Sequence, residues 1–287
     1  MNEAYIRLRQ SLAGLYGDGE AQAVALLVME KVFGLTRTDI YCGKVRQISE
    51  DERTRFLNIS QKLLHGVPVQ YALGEADFLG RTFRVTPDVL VPRPETEELV
   101  QWAAAVAGGQ ANPHVLDAGT GSGCIAVSLK LECPQAEVEA WDLSQEALAV
   151  ARGNAARLHA DVRFARQDML APWPEDARYS IIVSNPPYIA EREKAEMEQH
   201  VLDHEPHMAL FVPDADPLLF YRALGQASVR HLQPGGWLLV EINRAYAQET
   251  AALFRSAGLE RVEIRRDAFG NERMVGGRRA CSSENGR

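Results

Sequence analysis

From residue 91 onward the chain alternates two periodicities, and that alternation admits few folds. Short apolar runs occupy 114–118, 138–142, 162–165, 181–184 and 237–242. Helical-period patterns follow several of them, over 124–131, 145–158, 218–231 and 247–257. Strands joined through helices run parallel and are covered on both faces, so an α/β fold built on one mostly parallel sheet is predicted. The end differs: strand-like runs at 260–266 and 273–277 are separated only by 267–272, which predicts an antiparallel hairpin.

The first 66 residues have another character. Leu8, Leu12 and Leu15 recur at helical spacing, and Ser49 with Glu52 forms a capping box opening a further helix. Phe78, Phe83 and Val85 surround Gly80-Arg81 in a hairpin-like pattern. The predicted organisation is a helical domain over 1–66, a hairpin-like connector over 67–90 and the α/β domain over 91–287.

Charge narrows the partners. Residues 1–90 carry 11 basic and 11 acidic side chains, and the remainder carries 20 against 28, giving −8 in all. A chain that grips a nucleic-acid backbone usually shows a basic domain, so no direct nucleic-acid substrate is expected. No apolar stretch has membrane-spanning length, and Met1-Asn2-Glu3 does not open a secretory signal, so a cytoplasmic protein away from membranes is expected. Four scattered cysteines and seven histidines show no metal-ligand spacing, and no metal is inferred.

Two motifs carry chemistry. In "VLDAGTGSGCIAVSL" the loop Gly119-Thr120-Gly121-Ser122-Gly123 lies between a strand and a helix, where glycines let the backbone approach a ligand. Asp142 ends the next strand and can accept both hydroxyls of a ribose. Asp168, after the third strand, can meet an adenine amino group while Met169 packs on the ring. No Lys-Ser/Thr closes the loop, so it is not a P-loop. The second motif, Asn185-Pro186-Pro187-Tyr188, ends the fourth strand on the same rim. Two prolines stiffen it, so the Asn185 side chain and the Pro186 carbonyl present acceptors to a planar NH2 group, with Tyr188 flat against it.

Together these motifs resemble the class I S-adenosylmethionine-dependent methyltransferases. The text at 68–100, with its P-R-P-E-T-E block, and the text at 202–211 and 271–279 resemble the HemK/PrmC family of release factor N5-glutamine methyltransferases. The resemblance implies a Rossmann-like, mostly parallel seven-stranded sheet with a terminal antiparallel hairpin, plus a small helical domain that docks the substrate. It implies S-adenosyl-L-methionine against residues 119–123, Asp142, Asp168, Met169 and Asn185. It implies a substrate glutamine, from the Gly-Gly-Gln motif of a class I release factor, at Asn185, Pro186, Pro187 and Tyr188, with Arg93 and Glu95 near the mouth. The family usually places glycine where Asn243 stands here. Glu205-Pro206 is a landmark without a derivable role. A base-modifying methyltransferase and a cofactor-binding protein without activity are the rival readings, the first opposed by the charge and the second by the intact motifs. The chain's own Gly108-Gly109-Gln110 reads as a helix end rather than a self-methylation site.

Overall fold

The structure, a computed structural model, describes residues 2–44 and 46–281. It forms two compact units, one running to Glu75 and including Glu198–His204, the other made of Ala76–Met197 with the chain from Glu205 onward. The division falls inside the 67–90 segment, which is therefore shared between the units.

The first unit holds α1 (Asn2–Phe33), α2 (Arg37–Tyr41), α3 (Glu50–Leu64) and α4 (Val69–Leu73). The path of α1 is interrupted at Gly17, whose φ of 74° is not helical. The Ser49–Glu52 capping box is present, Ser49 Oγ accepting from Glu52 N–H while the Glu52 carboxylate accepts from Ser49 N–H. Leu8 and Leu12 are core, but Leu15 is exposed. The buried stripe advances by four to Tyr16, whose hydroxyl donates to the Leu63 carbonyl, so Leu15 falls on the outer side.

A hairpin of β1 (Glu75–Phe78), whose first residue is the last of the opening stretch of the first unit, and β2 (Arg81–Arg84) leads into the second unit, followed by α5 (Pro94–Ala107). Its main sheet is built from β3 (His114–Ala118), β4 (Glu137–Asp142), β5 (Val162–Arg166) and β6 (Tyr179–Ser184). Between these lie α6 (Cys124–Glu132), after β3, and α7 (Gln145–Arg157), after β4. A small sheet pairs β7 (Ile189–Ala190) with β8 (Phe211–Val212), two strands that the apolar pattern does not announce. Between them come α8 (Gln199–His204), which belongs to the first unit, and α9 (His207–Leu210). The chain closes with α10 (Leu219–His231), β9 (Leu232–Glu241), α11 (Ala247–Ala257), β10 (Leu259–Arg266) and β11 (Glu272–Arg279).

The seven-stranded sheet has the order β10-β11-β9-β6-β3-β4-β5. The pairs from β9 to β5 are parallel, and β11 is antiparallel to both β9 and β10, as the predicted terminal hairpin requires. Successive side chains point to opposite faces. Val115, Ile181 and Val183 pack with α5 and α6 on one face, while Leu116, Ile182 and Leu238 pack with α10 and α11 on the other. The order reverses at β3, which lies between β4 and β6. Ligands of open α/β sheets bind beyond the strand carboxyl ends at such a reversal. The loop after β3 and the Asn-Pro-Pro-Tyr segment after β6 therefore emerge side by side.

Candidate active site

A cleft with about 1020 Å³ of empty space, including the open solvent at its mouth, opens at this point. Arg93, Gly119, Thr120, Gly121, Ser122, Asp142, Asp168, Met169, Asn185 and Pro187 all line it. Gly123, Glu95, Pro186 and Tyr188 do not. Glu95 sits in the first turn of α5, where a carboxylate suits the helix dipole. Tyr188 borders a smaller hollow with Glu193, Asn243 and Arg273.

The glycines divide by task. At Gly119 φ is 82°, a backbone region that disfavours side chains, and a Cβ there would meet Met169 Cε at 2.8 Å, where Met169 closes over the loop. Gly123 caps α6 with φ of 81°, and a Cβ would meet Ala151 of α7 at 3.0 Å. Its role is the packing of α6 on α7.

Asp142 is held before any ligand arrives. Its Oδ2 accepts from Gly121 N–H at 2.9 Å and its Oδ1 from Ser144 N–H at 2.9 Å. A carboxylate offers about four lone-pair sites, so acceptor capacity remains for hydroxyl groups. Burial pushes the Asp142 carboxyl up, and those backbone donors hold it down. Asp168 has Oδ1 engaged by Leu170 N–H at 2.8 Å, a local turn at the cleft edge.

Sequence reasoning misses Asp117, although an acid in the apolar run of β3 is itself a signal. It is fully buried; Oδ2 accepts from Thr120 Oγ1 at 2.6 Å and Ala126 N–H at 3.1 Å, while Oδ1 has no partner among the described residues. Burial pushes its carboxyl up to about 7. Cys124 also lines the cleft, and burial pushes its thiol up to about 12, so it is neutral and no nucleophile.

At the other end, Asn185 Nδ2 donates to Thr96 Oγ1 at 3.2 Å, and Thr96 Oγ1 donates to Glu241 Oε2 at 2.7 Å. Tyr188 OH donates to Glu241 Oε1 at 3.3 Å. Thr96 is 2 % exposed and Glu241 1 %. Burial pushes the Glu241 carboxyl up; Thr96, the Arg273 charge and Tyr188 act against that. Burial also raises Tyr188, with Glu241 adding to it, so the phenol stays protonated. Sequence reading offers no route to the Thr96–Glu241 pair, since 145 positions separate them.

Two further residues find partners. Glu205 accepts from Arg93 at 2.6 Å, tying the α9 segment to the cleft edge. Asn243 Nδ2 donates to the Tyr188 carbonyl at 3.2 Å and to Glu193 Oε2 at 3.0 Å, contacts a glycine cannot make. Gln110 lies beyond the far end of α5. Fourteen residues of helix separate it from the cleft end, about 20 Å at 1.5 Å per residue, so the internal Gly-Gly-Gln does not reach its own site. That helix ends at Ala107, with Gly108 capping in the right-handed region.

The cleft fits a cationic nucleoside. It has an acid, Asp142, at the end of β4, a further acid, Asp168, at its edge, and apolar walls from Leu90, Ile125, Leu143 and Met169. This fold and site define a class I S-adenosylmethionine-dependent methyltransferase. The Methyltransferase small domain family matches residues 103–208, and the PrmC N-terminal domain family matches residues 3–74. A release factor glutamine methyltransferase of Bacteroides thetaiotaomicron is 45 % identical over 96 % of this chain and 99 % of its own length. One from Bordetella pertussis is 44 % identical over 92 % and 97 %. The chain belongs to the release factor glutamine methyltransferase family, and is a protein-glutamine methyltransferase that uses S-adenosylmethionine. In fold alone it also resembles the hMettl16 catalytic domain solved with MAT2A 3'UTR hairpin 1, at a TM-score of 0.56, 13 % identity and 82 % of each chain. Among the described residues no helix is long and apolar enough to cross a membrane.

Proposed function

We propose that this enzyme methylates the side-chain amide nitrogen, N5, of the glutamine in the Gly-Gly-Gln motif of a peptide-chain release factor, in the cytoplasm and in support of translation termination. The observation that carries the reading is the sharing of one cleft by Gly119–Ser122, Asp142 and Asn185. The partner surface is the release factor domain that bears the motif, with no nucleic acid in the site, and residues 1–66 serve as the docking module.

The bound cofactor supplies an electrophilic methyl group on a sulfonium. Residues 119–122 lie against its methionine portion, Asp142 takes the ribose hydroxyls, and Asp168 with Met169 borders the adenine. Gly123 shapes the loop from behind.

The difficulty lies in the nucleophile, because an amide nitrogen shares its lone pair with the carbonyl. Asn185 Oδ1 and the Pro186 carbonyl accept the two N–H hydrogens, which concentrates electron density on nitrogen and holds it in place. As positive charge develops there, those oxygens already face it. Pro187 stiffens the segment, Tyr188 packs on the amide from the neighbouring hollow, and Arg93 with Glu95 shapes the mouth. Asn185 is neutral, Tyr188 holds its proton and Cys124 is a neutral thiol, so no general base is assigned; the proton leaves to water after transfer.

Mass spectrometry of the release factor glutamine tests this directly. The peptide gains one methyl group when the factor is incubated with enzyme and cofactor, and Asn185→Ala lowers the rate by about a hundredfold to a thousandfold, as for loss of a preorganised catalytic group. Methylation of a nucleic acid but not the factor, or full turnover by Asn185→Ala, refutes the proposal.

A further inference from the structure

An Asn amide can turn either its oxygen or its NH2 group toward a ligand, and only the oxygen accepts an N–H hydrogen. Which of the two Asn185 offers is decided behind the cleft. Val240 of β9 is in register with Ser184 of β6, so the next residue, Glu241, arrives level with Asn185. Thr96 enters the same space from the first turn of α5.

The directions of the hydrogen bonds follow from what each group can do. Two hydroxyls, Thr96 and Tyr188, converge on Glu241 and the Arg273 charge favours its ionised form, which only accepts. The Thr96 hydroxyl hydrogen therefore points at Glu241 Oε2, 2.7 Å away. That leaves Thr96 Oγ1 a lone pair, and the group facing it at 3.2 Å must be the Asn185 NH2. The amide is thereby fixed with its NH2 toward Thr96 and Oδ1 on the opposite branch, so Oδ1 is the acceptor that Asn185 holds away from the relay. The other Glu241 oxygen takes the Tyr188 hydroxyl at 3.3 Å, so one carboxylate orders both ends of the Asn-Pro-Pro-Tyr segment.

We infer that Glu241, acting through Thr96, is the positioning residue that makes Asn185 an acceptor, and thereby selects an N–H donor over a carbonyl as the group presented to the cofactor. The inference rests on the proposal that Asn185 receives the substrate amide. A purely structural role fits the burial poorly. A carboxylate at 1 % exposure stabilises a fold less well than an apolar residue of similar volume. The orientation it imposes on Asn185 accounts for a carboxylate at this buried position.

Thr96→Val keeps the side-chain volume and removes both bonds. Its kcat falls about tenfold to a hundredfold, the scale of a misplaced reacting group, while the cofactor Kd measured by calorimetry stays within about twofold. Thr96→Ser, which restores the hydroxyl, recovers most of the loss. Glu241→Gln falls at least as far as Thr96→Val, because its NH2 can reverse the relay and turn Asn185 around. The deciding measurement is single-turnover transfer of labelled methyl in the Asn185→Ala background. There Thr96→Val has less than about a twofold effect, since a relay that acts only through Asn185 has nothing left to position. Full additivity, equal losses in Thr96→Val and Thr96→Ser, or wild-type kcat in Thr96→Val overturns the inference. Undiminished turnover by Asn185→Ala alone overturns the proposed function instead, so the two failures are distinct.

Discussion

The two ends of the cleft are built by opposite means. The cofactor end is local: the loop at 119–123 and Asp142 come from adjacent strands, and backbone N–H groups aim the carboxylate. The acceptor end is assembled from α5, β6 and β9, and side chains aim side chains. A site for an abundant, invariant cofactor can be made from turn geometry. A site that must tell an NH2 group from a carbonyl oxygen needs hydrogen bonds with a fixed direction, and here those come from distant parts of the chain.

The difference breaks most sharply in a crossed pair of variants. Asp142→Ala removes a charged acceptor from two ribose hydroxyls and frees two backbone N–H groups. Hydrogen bonds to charged groups contribute about 1.5–3 kcal/mol each, so cofactor Kd rises by about a hundredfold or more. Turnover at saturating cofactor stays within about fivefold, because the acceptor end is untouched. Asn185→Ala shows the reverse pattern. Equal loss of affinity and turnover in both variants would mean that the two ends do not work separately.

Asp117 gives the next largest effect, and it depends on pH. Burial raises its carboxyl to about 7 in the folded protein, against about 3.9 in an unfolded chain. The folded value is the higher, so its contribution to stability is complete below about pH 4 and is lost as pH rises through about 7. Between pH 5 and 7 the cofactor-free protein loses roughly 2–3 kcal/mol from this group. Urea unfolding of wild type and Asp117→Asn at both pH values checks it. The asparagine variant shows the shallower pH dependence; parallel curves would contradict the assignment of the buried acid.

Gly123→Ala separates glycines that the sequence presents as equivalent. Its new Cβ would press on Ala151 in a backbone region that disfavours side chains, so stability falls by about 1–2 kcal/mol. Cofactor affinity at low temperature changes by less than about threefold, because Gly123 does not line the cleft. A large affinity loss without a fall in Tm would return Gly123 to the binding surface.

These cases show why one end was readable and the other was not. The alternation of strand and helix patterns gives the parallel order, and the loop and Asp142 follow at fixed offsets within it. Asn185 is readable for the same reason, as the residue that follows β6. Thr96 looks like any residue in the first turn of a helix, and Glu241 like the polar end of a strand. Nothing in either neighbourhood names the other; only the register of β9 on β6 and the entry of α5 bring them together. Leu15 shows the same limit on a smaller scale: the apolar spacing of three is real, but the buried stripe advances by four to Tyr16.

Asn243 sharpens the comparison with the smallest effect. It lies beside the acceptor end but outside the relay, since it holds the Tyr188 carbonyl and Glu193 and does not touch the Tyr188 hydroxyl. Its Oδ1 also accepts from Ala245 N–H at 3.0 Å, starting the turn after β9. Asn243→Gly loses all of these bonds and adds backbone freedom to the unfolded chain, which together cost about 1 kcal/mol, partly offset by water reaching the freed groups. Glu241 keeps both of its acceptor contacts, so kcat falls by less than about threefold. A kcat loss as large as that of Thr96→Val would mean that the backbone of Tyr188 positions Asn185 as much as Glu241 does, and that the acceptor end is set by the whole segment rather than by one carboxylate.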